Sequence, residues 1–213
     1  MEATKAAIRP GLKKLLKGIP DANLDQQSEL ILRALEPAVD HYTKVACYMD
    51  MGRGEVRTMP IISYLFKTGK QVFLPRCTNT RASGHAVLRQ GVISHPHLTF
   101  HHMLSLAQVQ ELKPQGKYQL REPALEEPHP LPPELDVVLV PGVAFSLANG
   151  ARMGHGAGFY DDFIHRTLHT HGKRPLLIGL ALKEQILPEV PTEAHDHHMD
   201  CIISGDGSVH WFR

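Results

Sequence analysis

The run LDVVLVPG (135–142) leaves a chain few ways to fold. It is apolar at nearly every position, too short for a buried helix and closed by Pro141 and Gly142. It therefore reads as a strand buried on both faces, the pattern of a parallel sheet. PLLIGLAL (175–182) and CIISGDG (201–207) repeat the pattern, while KVACYMDM (44–51), QVFLPR (71–76) and LTFHHM (98–103) read as further strands. Between them, NLDQQSELILRALEPAVDHY sets Leu24, Ser28, Ile31, Leu32 and Leu35 on one helical face, ending before Pro37. TMPIISYLFKTGK is a helix with Pro60 in its first turn and Gly69 at its end, and another runs from Phe159 to a stop at Gly172. This alternation predicts an α/β fold, a three-layer α/β/α single domain over 1–213, with a mostly parallel sheet and helices on both faces. At 213 residues and 42% hydrophobic content, the chain is long enough to bury one sizeable core.

Three segments fall outside that alternation. Residues 77–97 lack a sustained period and are rich in turn formers, so we expect a mobile excursion with a short strand at 86–88. REPALEEPHPLPPE (121–134) holds too many prolines for regular structure and reads as an extended surface connection. Residues 1–20 form a basic arm or helix in which Lys5, Arg9 and Lys13 share a face. Pro10 would clash with a preceding turn, which places the start of the helix near Arg9.

Lys and Arg number 23 against 22 Asp and Glu, so no overall field recruits nucleic acid or a membrane. No apolar segment approaches the about 18 to 20 residues of a membrane span. Cys47, Cys77 and Cys201 are odd in number, far apart and without CxxC spacing, which argues for reduced thiols rather than a disulfide framework. The expectation is a cytoplasmic protein. A mitochondrial presequence is the competing reading of the basic start, opposed by Glu2 and by the scarcity of serine and arginine there.

RMGHGAGFYDDF (152–163) lies where chemistry is expected. Glycines 154, 156 and 158 let backbone N–H groups approach an anion, and the free N–H groups of the helix from Phe159 add to the attraction. Arg152 supplies a forked, permanently charged donor, and Asp161 is best understood as holding Mg²⁺ against phosphate oxygens. The loop is not a Walker A motif, because no Gly-Lys-Ser/Thr follows, nor a dinucleotide fingerprint, because the glycine spacing differs. A plain glycine-rich turn with acidic residues at a helix start remains the competing reading. Ligands of such sheets gather at the carboxyl ends of the strands, where PGVAF, MDMGRGE and HDHHMD all emerge. His195, His197 and His198 with Asp196 and Asp200 suggest zinc, but without an HExxH helix or paired cysteines they read as solvated loop residues. His101 and His102 likewise read as strand and surface residues.

LDVVLVPGVAFSLANGARMGHGAGFYDDFI resembles the signature of the 5-formyltetrahydrofolate cyclo-ligase (methenyltetrahydrofolate synthetase) family, DLIxVPGxAFDxxGxRLGRGxGYYDxFL. KAAIRPGLKK, YMDMGRGEVRT, GKQVFLPR and LLIGLALKEQILPEVPTEAHDHHMDCIIS are similar to further family motifs in the same order, while 77–135 match poorly. The resemblance implies an architecture like that of phosphosugar isomerases and CoA transferases, and a monomer. It implies a reaction in which ATP, with Mg²⁺, phosphorylates the formyl oxygen of 5-formyltetrahydrofolate, a substrate also expected in polyglutamylated form; N10 then closes the ring and phosphate leaves.

By the same resemblance Lys5, Arg9 and the loop Arg152, Met153, Gly154, His155, Gly156, Ala157, Gly158, Phe159 and Tyr160 hold ATP. Met49, Glu55, His155 and Phe159 hold the folate, Arg152, His155 and Tyr160 serve the chemistry, and Asp161 and Asp196 bind Mg²⁺. Taken alone, the basic face of the arm would read as solvated and Glu55 as an exposed strand-end carboxylate. The chain departs from the family where His155 replaces an arginine, Phe159 a tyrosine and Ser146 an aspartate, and Ala157 fills a variable position. Two rivals stay open: a noncatalytic folate-binding protein on the same scaffold, and a phosphosugar or acyl-CoA enzyme of similar architecture.

Overall fold

A computed structural model describes residues 4–116, 119–124 and 134–212. Its helices are α1 (Lys5–Lys17), α2 (Asp21–Val39), α3 (Met59–Lys67), α4 (Thr80–Ser83), α5 (Leu106–Gln110) and α6 (Phe159–His171). The strands are β1 (Lys44–Ala46), β2 (Gln71–Asn79), β3 (Pro96–Met103), β4 (Pro114–Gln115), β5 (Leu120–Arg121), β6 (Val137–Val140), β7 (Ala144–Ser146), β8 (Arg152–Met153), β9 (Leu176–Ala181), β10 (Ile186–Leu187), β11 (Cys201–Ser204) and β12 (Val209–Trp211). Seven of them form the central sheet in the order β12-β11-β9-β6-β1-β2-β3. The five inner strands are parallel, and β12 and β3 close the edges antiparallel.

Both faces of the sheet are apolar, as the unalternating runs require. On one side Leu24, Ile31 and Leu35 of α2 and Ile61 and Leu65 of α3 pack on Val45, Val72, Val137, Leu139, Ile178 and Ile203. On the other, Ile164 of α6 and Phe145 of β7 meet Val138, Val140, Leu177 and Ile202. Each such aliphatic or aromatic side chain contributes about 1.5 to 3 kcal/mol when withdrawn from water. The result is the expected α/β layering around a mostly parallel sheet.

Several boundaries differ from the sequence expectation. Helix α1 begins at Lys5, not near Arg9, because the Thr4 hydroxyl caps it by accepting from the Ala7 N–H at 3.3 Å. Pro10 lies inside it, and Pro37 lies inside α2. Both prolines are exposed, as are Ala6 and Arg33 four residues earlier, so the carbonyls that lose a helical partner face water. Strand β1 stops at Ala46, and 47–51 continue without a ladder. The excursion is more regular than expected at its ends: β2 runs on to Asn79 and pairs with Pro96–Met103. Residues 86–88 form no strand; the excursion instead holds α4 at Thr80–Ser83, capped by the Asn79 side chain on the Ala82 N–H at 2.8 Å. Of the connection expected over 121–134, residues 125–133 lie outside the described residues.

A second sheet, β10-β7-β8, grows out of the carboxyl end of β6. Pairing of Phe145 with Arg152 and Ala144 with Met153 folds the chain back on itself before the glycine loop begins. This hairpin explains the long interval between the buried strand and the loop, and it delivers Arg152 to the end of the central sheet.

Candidate active site

Arg152 is only 6% exposed, an expensive position for a charge unless it is fully engaged. Its Nη1 donates to the Pro141 carbonyl at 3.2 Å and its Nη2 to Asp161 Oδ2 at 3.0 Å. The guanidinium carbon lies 5.7 Å from the centre of the Tyr160 ring. Its Nε is buried with no partner among the described residues. Arg152 thus joins the end of β6, the first turn of α6 and the glycine loop.

The loop turns through Gly158, the N-cap of α6 at φ +71°, a conformation that side chains rarely adopt. Its carbonyls collect cations. Arg9 Nε donates to the Gly154 carbonyl at 2.9 Å and Lys13 Nζ to that of His155 at 3.5 Å. Lys5, from the same face of α1, instead forms an ion pair with Asp196 and lies 3.5 Å from Glu193. The arm is therefore folded onto the loop by its own basic face. Gly54, at φ +79°, permits this: a Cβ there would lie 3.0 Å from the Leu16 backbone.

Asp161 also accepts from the His197 N–H at 3.1 Å, which brings the loop carrying Asp196 beside the start of α6. Burial raises the Asp196 carboxyl, but hydrogen bonds from Lys5 and the Glu193 N–H outweigh it and hold the group below its ordinary range. The described residues include no group of three His, Cys, Asp or Glu in metal-binding arrangement. Asp161 and Asp196 are two carboxylates on adjacent segments, the ligand type that with substrate phosphates suits Mg²⁺, and each is engaged here by a cation, Arg152 and Lys5 respectively. His195 lies beside Glu193 at 3.6 Å, and His198 Nδ1 sits 2.9 Å from the Asn149 carbonyl.

Glu55 is buried, not at an exposed strand end. Its Oε2 accepts from the Met51 N–H at 2.8 Å, and its Oε1 lies 3.2 Å from His155 Nε2. The loop that carries it is tied at Asp50, which accepts from Gly52 N and Thr58 N, each at 3.0 Å. Ser28 takes the Arg57 N–H at 2.8 Å, so a polar residue on the apolar face of α2 has a structural task. Met49 is half-buried at the mouth of the same loop, against the core. Desolvation pushes the Tyr160 phenol well above its ordinary value, leaving it a neutral hydroxyl. Phe159 and Tyr160 pack on the α6 side of the sheet, while Gly156 and Ala157 are exposed on the loop. Ser146 is buried, donating to the Pro188 carbonyl at 3.0 Å.

Arg89 is the residue sequence reasoning missed. It comes from the excursion and donates to the Gly158 carbonyl at 3.4 Å. No motif marks it.

A mostly parallel sheet that gathers cations around a glycine loop at its carboxyl edge is an α/β architecture suited to an anionic ligand. The model of the 5-formyltetrahydrofolate cyclo-ligase family matches residues 1–205, and the chain belongs to that family. It is 50% identical to a Saccharomyces cerevisiae protein named 5-formyltetrahydrofolate cyclo-ligase, over 99% of this chain and 100% of the yeast one. A Mus musculus protein of the same name is 25% identical over 97% of this chain and 96% of its own. The solution structure of Aquifex aeolicus 5,10-methenyltetrahydrofolate synthetase superposes with a TM-score of 0.72, covering 98% of this chain and 93% of that one. At 24% identity that likeness speaks for the fold.

Proposed function

We propose that the protein converts 5-formyltetrahydrofolate to 5,10-methenyltetrahydrofolate with consumption of ATP. Family membership supports the reaction, and one observation carries the nucleotide: Arg9 and Lys13 meet the carbonyls of the glycine loop and pair with no carboxylate among the described residues. Cations held this way keep most of their donors for an incoming anion. Phosphoryl transfer asks mainly for positioning and charge, which is what these residues offer.

The formyl oxygen attacks the terminal phosphorus and ADP leaves. N10 then closes the ring on the formyl carbon and gives up its proton to solvent, and the C–O bond breaks as phosphate departs. Lys5, Arg9 and residues 152–160 bind ATP, with Arg152 and the first N–H groups of α6 facing the phosphates. Glu55 and Met49 hold the pterin, the carboxylate receiving its N–H donors, and His155 and Phe159 complete that wall. Arg152, His155 and Tyr160 stabilise the charge that moves onto the transferred group. Asp161 and Asp196 would hold Mg²⁺, which would offset the charge of the phosphates. The chain acts as one domain and a monomer, accepts polyglutamylated folate, and works in the cytoplasm, where its thiols stay reduced.

Asp161→Asn separates the parts of this reading. ADP release that requires 5-formyltetrahydrofolate in the parent, with a weakened Mg²⁺ dependence in the variant, supports it. An unchanged metal titration would remove Asp161 from the metal.

A further inference from the structure

The excursion between β2 and β3 is fixed to α6 by buried polar groups. His97 Nδ1 lies 3.0 Å from Asp162 Oδ2, His95 Nδ1 lies 3.4 Å from Asp162 Oδ1, and Arg166 Nη1 donates to the Ala86 carbonyl at 2.8 Å. The rings of His85 and His97 are 4.5 Å apart, and the Leu88 N–H meets His95 Nε2 at 3.3 Å. These ties, from Ala86 to Leu88, hold the residue that follows them over the start of α6.

That residue is Arg89. Its Nη2 reaches the carbonyl of Gly158, the N-cap of α6, and would lie 3.0 Å from a Cβ placed there. The start of a helix is its positive end, where a cation is unfavourable and an anion is favoured. No carboxylate among the described residues pairs with Arg89, since Asp161 engages Arg152 and Asp162 engages His95, His97 and Arg166. A guanidinium held at the positive end of a helix, beside a glycine loop already bearing Arg9 and Lys13, is explained by an anion that all of them share. We propose that Arg89 is a further ligand of the ATP phosphates, brought to the site by the excursion rather than by the glycine loop or α1. The inference rests on the ATP reading above.

Arg89→Ala and Arg89→Lys test it, because the side chain is exposed and its removal should leave folding intact. With wild-type protein as reference, the KM for ATP should rise roughly tenfold or more in the alanine variant and less in the lysine variant. The KM for 5-formyltetrahydrofolate and the melting temperature should hold. An ATP KM within about twofold of wild type in the alanine variant, by the same scale, overturns the role of Arg89 alone. A wild-type protein that binds no ATP in a direct titration overturns this inference together with the nucleotide reading.

Discussion

The imidazole Nε2 of His155 lies 3.2 Å from Oε1 of Glu55, joining the glycine loop to the loop after β1. Glu55 is proposed to hold the folate and the glycine loop the ATP, and on that proposal the contact marks where the two substrates meet. The guanidinium usual in the family is a forked, permanently charged donor that can bond Glu55 and an anion at once, which a single imidazole N–H cannot. His155→Arg should therefore lower the KM for ATP in steady-state kinetics. An unaltered KM would separate His155 from the reacting groups.

Arg152 holds the start of α6 through Asp161 and is buried beneath Tyr160. If Arg152 meets the ATP phosphates as proposed, its loss removes a charge-assisted contact of about 1.5 to 3 kcal/mol, and Arg152→Ala should raise the KM for ATP tenfold to roughly a hundredfold. Steady-state ATP kinetics check this, and near-normal values would remove Arg152 from the nucleotide.

Gly54 touches no expected ligand, yet its positive φ and its approach to Leu16 set how α1 lies over the site. A side chain there is strained whatever the space, so Gly54→Ala should cost at least about 1 kcal/mol. For a chain of this length that lowers the melting temperature by about 2 to 4 °C. Displacement of Arg9 and Lys13 should also weaken ATP binding. Thermal unfolding and a nucleotide titration read the two effects separately.

Asp206 lies in the turn between β11 and β12, where hydrogen bonds from Ser204 and the Ser208 N–H lower its carboxyl to about 2 from 3.8. A group depressed on folding stabilises the protein fully above its unfolded value. That contribution is lost as pH falls from 3.8 through about 2. Asp206→Asn should flatten the pH dependence of stability in that window, measured by denaturant titration. An equally steep loss in the variant would place the acid sensitivity elsewhere.

The inner strands were legible because burial on both faces leaves unbroken apolar runs such as VVLV. The prolines misled because their cost depends on which carbonyl loses its partner, and Pro10 and Pro37 place that loss in water. The length of β2 was hidden because its extension beyond Arg76 is made by pairing with residues some twenty positions away, not by local preference. At the site, the glycines, Arg152 and the acidic pair formed a pattern that chemistry could interpret, and Glu55 acquired meaning only through the family resemblance. Arg89 had no such signal, since a lone arginine in an irregular segment is brought to the loop by ties between His95, His97, Asp162 and Arg166.

The most direct test mixes purified protein with 5-formyltetrahydrofolate and Mg-ATP and follows the near-ultraviolet absorbance of the methenyl product, with ATP omitted from a parallel sample. The account predicts a rise that requires ATP. A flat trace from protein that still binds the folate would contradict it, and would leave a folate-binding scaffold whose chemistry was lost at His155 and Phe159.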